Sequence, residues 1–427
     1  MNKLLSERIL NMATSATLAM AAKARELKNE GKDIIGLSLG EPDFNTPDFI
    51  KDAAKQAIDD NYNSYTPVDG YAELKQAIIK KFSRDNNINY SPTQIVVSTG
   101  AKQCLANVAL VLLNKGDEVI LPCPYWVSYA DIVKLSEGVP VEVKTSIETN
   151  FKMTPSQLEE AITPKTKMIW FSSPCNPSGS VYSSKELRLL ADVLQKYPNI
   201  YVVSDEIYEH INFEKGHFSM AQFEDMYSRT VTVNGVSKAF SMTGWRIGYI
   251  GGPSYIARAC NKMQGQVTSG ANCIAQIATI KALETPPSAI NYMVEAFKER
   301  RNLILSLLDD IPGFKTNIPE GAFYVFPDIS YYIGCTLKGQ YISSAGDFAL
   351  FLLEHAGVAT VTGEAFGDPD CILHNPMYIE GDQLKDWLPF ASVKEAVIRS
   401  SDIITFVDPS DDMIAQYYNG KTELLTE

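Results

Sequence analysis

The segment VTVNGVSKAFSMTGWRIGYIGGP, residues 231–253, carries one lysine just past a β-branched run, between a serine and an alanine. A lysine held in a pocket gives up its proton readily and can then attack a carbonyl carbon, forming a Schiff base. A single lysine is more commonly a solvated surface cation, so Lys238 has to be judged by its surroundings. Ser237 precedes it, and Arg246 follows eight residues on in GWRIGY, where flanking glycines let backbone or ligand come close. Together they can read a phosphate and a carbonyl.

Four other strand-like runs end in residues of the right type. Asp205 closes IYVVSD and Tyr208 follows three residues later. The carboxylate can hold a proton on a heterocyclic nitrogen while the phenol bonds an oxygen beside it; the competing role for Asp205 is to cap the next helix. Asn176 lies between Pro174 and Pro177 in WFSSPCNPSGSVY, a turn by composition. Aimed back at the strand ends, its amide donates to an anionic oxygen. In IVVSTGAKQCLANVALVLL a strand runs through Thr99 and Gly100 into a helix whose first turn holds Ala101 and Lys102, and free N–H groups at such a terminus bind phosphate. The nucleotide-binding GxxxxGK spacing is missing here, and the string Gly420, Lys421, Thr422 has Ala415 where that motif needs glycine. A cation at Lys102 opposes the helix dipole, which points to a nearby anion, with a solvated lysine as the alternative. Trp126, in EVILPCPYWVSYA, either packs in a core or interface or stacks on a flat aromatic cofactor.

These residues need a scaffold. From about residue 95, short β-branched runs at 95–99, 118–122, 167–172, 200–204, 230–234 and 248–252 alternate with helical patterns. A mostly parallel α/β sheet requires that alternation, and such sheets bind ligands beyond the carboxyl ends of their strands. After about residue 285 a long charged helix (INYMVEAFKERRNLILSLLDD) leads to strands near GAFYVFPDI and AVIRSS, with the helix GDFALFLLEHAG between them. That is an α+β pattern. At 427 residues the chain exceeds what one core serves. The expected division is a large domain at 46–285 and a small domain at 286–427, with the N-terminal segment 1–45 packing with either part. The polar stretch from Asp368 to Asp386 reads as a surface excursion of the small domain.

Composition narrows the function classes. With 51 acidic against 38 basic side chains the net charge is -13, which repels a nucleic-acid backbone and requires any bound anion to be held by a local donor cluster. Seven cysteines without a CxxC pair read as reduced thiols of a cytoplasmic protein, and four histidines without helical pairing give no zinc site. No run of about eighteen apolar residues exists to span a membrane. Residues 11–22 read as a loop entering a helix rather than a cleaved signal, since Glu7 and Arg8 interrupt any apolar core.

Taken together, the chain resembles the class I/II aminotransferases, pyridoxal-5′-phosphate (PLP) enzymes of fold type I. GVSKAFSMTGWRIG fits their pyridoxal-lysine attachment pattern at every constrained position. The likeness continues through GLSLGEPDFNTP, SYTPVDGYAELKQAI, VSTGAKQCL, PCPYWVSY, SSPCNPSG, VSDEIY, PEGAFYVFP and GEAFG. Within the family the chain is most similar to the bacterial aspartate aminotransferase subgroup that includes aspartate/prephenate enzymes. The resemblance implies a large domain with a mostly parallel seven-stranded sheet plus a smaller α+β domain.

It also implies roles. Lys238 would carry the cofactor, Asp205 pair with the ring nitrogen, Tyr208 and Asn176 bond the phenolic oxygen, and Trp126 stack on the ring. The phosphate would be held by the backbone at Gly100 and Ala101, by Ser237 and Arg246, and by Tyr65 from the other subunit of a homodimer. The substrate α-carboxylate would meet Arg399, helped by Gly40, bordered by Trp126 and Asn176. Arg399 and Ser401 align by an RxS core in AVIRSSD, where Asp402 replaces a usual small residue. Lys102, beside the cofactor, would read a distal carboxylate with Ser15 and Thr17. The implied reaction moves the amino group of aspartate, or a related dicarboxylic amino acid, to 2-oxoglutarate. Aromatic, alanine or prephenate specificity, a β-lyase or decarboxylase reaction, and a cofactor-binding regulatory protein are the alternatives.

Overall fold

The six runs read as strands all become strands of one sheet in the computed structural model, which describes residues 4–10, 12, 16–38, 40–214 and 216–373. The first strand, β1 (Ile35–Gly36), stands apart. The sheet comprises β2 (Ile95–Ser98), β3 (Glu118–Cys123), β4 (Val139–Lys144), β5 (Thr166–Ser172), β6 (Tyr201–Asp205), β7 (Thr230–Gly235) and β8 (Gly248–Gly251), in the order β2-β8-β7-β6-β5-β3-β4. Only β8 runs against its neighbours. The sequence reading missed β4, and the reason is local: VPVEVK contains Pro140 and faces solvent in part, which an edge strand tolerates and an interior one does not.

Alternate residues feed two separate cores, as the period of a strand demands. Val119, Leu121, Met168, Trp170 and Val203 join one apolar cluster with the helix Ala101–Leu112, whereas Ile120, Ile169, Phe171 and Val202 join another with the helix Ser184–Gln195. Both faces are therefore dry, which explains the unbroken hydrophobic runs.

Beyond residue 290 the two expected helices form, at Asn291–Asp309 and Ala345–Ala356. The second starts where the Ser344 hydroxyl accepts from the Asp347 N–H at 3.1 Å and stops at Gly357 with φ 67°. The strand expected near GAFYVFPDI is absent. Gly321 and Asp328 make only isolated bridges, Ala322 takes a left-handed φ of 58°, and residues 322–326 are all buried rather than alternating. Gly321 and Ala322 instead donate their N–H groups to the Gly179 and Ile211 carbonyls in turns beyond the large sheet, which the apolar composition could not reveal. β1 pairs in parallel with the strand Val358–Ala359, and Leu37 packs with Ile304, Phe348 and Val358.

Behind the sheet edge lies a buried ionic layer. The Lys81 ammonium, wholly buried, pairs with Glu209 and donates to Asn86 Oδ1 at 2.7 Å, while Asn86 Nδ2 donates to Glu209 Oε2 at 2.7 Å. It fixes the helix Ala72–Asn86 to the turn after β6. Lys81→Met leaves Glu209 charged and buried, so we expect a loss of about 3–5 kcal/mol in urea unfolding. The double variant with Glu209→Gln should recover most of it.

Candidate active site

Because β8 runs antiparallel, it begins at the edge where the other strands end. Loops leaving β2, β3, β5, β6 and β7 and the loop entering β8 therefore meet over that edge. They enclose a cavity of ≈ 600 Å³ lined by Gly40, Ala101, Lys102, Trp126, Asn176, Asp205, Tyr208, Ser237, Lys238 and Arg246, all ten singled out from the sequence. Tyr65 lies outside it and is fully exposed. Thr17 falls in the helix Ala16–Asn29, its side chain among those not described, and Ser15 and Arg399 lie outside the described residues.

Lys238 occupies the turn after β7, and its Nζ donates to the Gly40 carbonyl. Burial pulls its pKa down to about 8, opposed chiefly by Glu41. About a tenth is therefore the nucleophilic amine at pH 7, against well under a thousandth for an ordinary lysine. Gly40 is constrained by space: a side chain there would fall onto the Tyr324 hydroxyl.

Asp205 is the last residue of β6 and 4% exposed. Its Oδ2 accepts from the Tyr129 hydroxyl at 2.7 Å and its Oδ1 from the Ile207 N–H at 3.3 Å. Burial pushes its pKa up to about 6, against the pull of those two hydrogen bonds. A carboxylate so desolvated is improved by a cationic partner. The capping alternative survives only as the bond to Ile207.

The Tyr208 and Tyr324 hydroxyls are 2.6 Å apart, and Asn176 Nδ2 donates to Tyr324 at 3.4 Å. Asn176 Oδ1 is buried without a hydrogen-bond partner among the described residues. Across the cavity, the Lys102 ammonium sits 4.7 Å from the Trp126 ring centre, its pKa lowered by burial and by Arg246.

At the phosphate end, Gly100 is the N-cap of the helix Ala101–Leu112 with φ 81° and offers no capping side chain. Gln103 N donates to the Gly100 carbonyl at 3.0 Å, which leaves the Ala101 and Lys102 N–H groups for an anion. A side chain at Gly100 would strike the Arg246 guanidinium, so glycine is what allows this approach. Arg246 has a left-handed φ of 58° and donates to the Thr243 carbonyl at 2.8 Å, and Ser237 is buried beside Lys238. Imine-forming amine, desolvated carboxylate, amide, flat indole and helix N-terminus match the carbonyl, ring nitrogen, phenolic oxygen, ring face and phosphate of PLP.

The sequence reading gave no role to several lining residues, Glu41, Tyr129 and Tyr324 among them. Tyr129 stands three residues after Trp126 in the first turn of the helix Ser128–Leu135, a spacing that could have drawn attention. Tyr324 comes from a segment read as an ordinary strand.

Comparison with known proteins agrees with this geometry. The family model for aminotransferase class I and II matches residues 32–372, and that of a family of unknown function matches 353–422. The aspartate/prephenate aminotransferase of Cereibacter sphaeroides is 50% identical over 366 residues, 85% of this chain and 92% of that protein. The aspartate aminotransferase of a Bacillus species is 46% identical over 374 residues, covering 87% and 94%. Among solved structures, the aspartate aminotransferase from Rhizobium meliloti superposes with a TM-score of 0.86 at 42% identity, covering 89% of this chain and 96% of that one. The Thermus thermophilus aspartate aminotransferase with maleate gives 0.83 at 40%, covering 88% and 96%.

Fold and matches together define a PLP-dependent enzyme of fold type I. The chain belongs to the class I and II aminotransferases, and its substrates are small molecules. No helix among the described residues is long and apolar enough to cross a membrane.

Proposed function

We propose that this protein moves the amino group of aspartate, or a related dicarboxylic amino acid, to 2-oxoglutarate in a ping-pong cycle. The observation that carries the substrate choice is Lys102, a second cation lining the cavity of Lys238, held over the Trp126 ring. Lys238 is taken up by the chemistry and Arg246 by the phosphate, so Lys102 is free to read a distal carboxylate. Similarity to proteins named aspartate aminotransferase supports this, as does the structural likeness to one solved with maleate, a four-carbon dicarboxylate.

Bound PLP supplies the electron sink that weakens the Cα–H bond of the amino acid. Asp205 keeps a proton on the ring nitrogen, and Tyr208 with Asn176 holds the phenolic oxygen. The Lys238 amine takes the Cα proton and returns it to C4′ of the cofactor, acting as base and then acid. The backbone at Gly100 and Ala101, Ser237 and Arg246 anchor the phosphate. Tyr65 reaches the phosphate of a second copy in a homodimer, supported by the exposed Ile58, Tyr62, Tyr65 and Val267. Arg399 with Gly40 takes the α-carboxylate, and Ser15 and Thr17 assist Lys102.

The division into 46–285 and 1–45 with 286–427 is supported by the pairing of β1 with Val358–Ala359. The free state of all seven cysteines supports a cytoplasmic location. Prephenate as a second amino acceptor is favoured by the names of the relatives alone.

The test compares kcat/KM for aspartate, alanine and an aromatic amino acid in wild type and Lys102→Ala. Aspartate should lead in the wild type. The variant should lose roughly 10- to 100-fold on aspartate, the worth of one charge-assisted hydrogen bond, with alanine unchanged. Equal losses on both would refute the carboxylate reading.

A further inference from the structure

Tyr324 is where the two proposed readers of the phenolic oxygen converge. It is 3% exposed, its hydroxyl lies 2.6 Å from that of Tyr208, and Asn176 Nδ2 reaches it at 3.4 Å. An amide nitrogen can only donate, so the Tyr324 oxygen is the acceptor from Asn176. Its own proton then has the Tyr208 oxygen within reach. That leaves the Tyr208 proton for a third atom.

The backbone around Tyr324 explains how the hydroxyl is held there. Glu320 N and Gly321 N both donate to the Gly179 carbonyl at 2.9 Å. Ala322 N donates to the Ile211 carbonyl, and Phe213 N to the Glu320 carbonyl, each at 2.8 Å. Gly179 is three residues beyond Asn176 and Ile211 three beyond Tyr208. One segment therefore pins the two turns that present these side chains and sets a hydroxyl between them. The same hydroxyl fills the space above Gly40, whose carbonyl accepts from Lys238.

We propose that Tyr324 is a positioning residue that accepts a hydrogen bond from Asn176 and donates one to Tyr208, aiming the Tyr208 proton at the cofactor's phenolic oxygen and strengthening that bond. Hydrogen bonds in a chain polarise one another in this sense. The proposal rests on the cofactor reading given above. A stronger donor on the phenolic oxygen draws charge from it, so the neighbouring Schiff-base nitrogen holds its proton less tightly. The other groups facing Tyr208 are Asp205, Tyr129 and Lys238, and Lys238 in turn faces Glu41, Arg246 and Lys102. Tyr324→Phe removes none of these groups. Tyr324→Phe keeps the ring and its edge contact with Tyr208 at 5.7 Å.

The experiment follows the visible absorption of the bound cofactor against pH in holoenzyme of the wild type, Tyr324→Phe, Tyr208→Phe and the double variant. Tyr324→Phe should raise the midpoint by roughly half to one pH unit, the equivalent of one neutral hydrogen bond. In the Tyr208→Phe background the same change should add almost nothing. An unmoved midpoint, or an equal shift in both backgrounds, overturns the proposal. The wild-type band is a separate check: if it is missing, the cofactor reading itself falls, whereas a normal band with additive shifts sinks only the role of Tyr324.

Discussion

Lys238→Ala should abolish amino transfer, with at least a ~10⁴-fold loss in the first half-reaction. Two functions go at once: the amine that anchors the cofactor and the base that moves the Cα proton, the latter alone worth about 10²–10⁴-fold. The site holds this lysine at a pKa of about 8 through burial, and its Nζ already has a polar partner in the Gly40 carbonyl. No other described amine is placed to substitute, because Lys102 is stationed at the Trp126 ring. Release of deuterium from Cα-deuterated aspartate in a single turnover reads the step directly. A loss below tenfold would mean another group moves the proton.

Asp205→Asn should cost about 10²–10³-fold in kcat, the usual effect of removing one preorganised electrostatic partner. A neutral amide cannot hold a proton on the ring nitrogen. The same substitution should stabilise the cofactor-free protein. The carboxyl pKa is raised from 3.8 to about 6 by burial, so the folded state binds the extra proton. Relative to the Asn variant, the wild type then loses stability as pH rises from about 4 to 6, by about 3 kcal/mol in all. Below pH 4 the difference should vanish. Urea unfolding of both proteins at pH 4, 5, 6 and 7 checks the sign, and a gap that widens toward low pH would contradict it. Activity falling while stability rises is the signature of a group kept in place for function.

Why some of this was readable in the sequence and some was not follows from distance along the chain. Gly100, Asn176, Asp205 and Lys238 each stand just beyond a β-branched run, so residue type and strand end occur within a few positions. Their meeting then follows from the sheet, since parallel strands end at one edge. Tyr129 acts on Asp205 across 76 residues, and Tyr324 meets Tyr208 across 116. No local pattern encodes those contacts. The segment GAFYVFPDI was misread because its apolar run serves burial on all sides instead of one sheet face. β4 was missed because an edge strand accepts a proline. For Arg399 the sequence had only an RxS core to offer, and the aminotransferase family match ends at residue 372.

The most direct measurement supplies the holoenzyme with ¹⁵N-aspartate and 2-oxoglutarate and identifies the nitrogen-bearing product. Transamination by Lys238 with carboxylate selection by Lys102 should give ¹⁵N-glutamate and oxaloacetate in equal amounts. Label appearing as free ammonia, or as alanine left by decarboxylation of the donor, would contradict it.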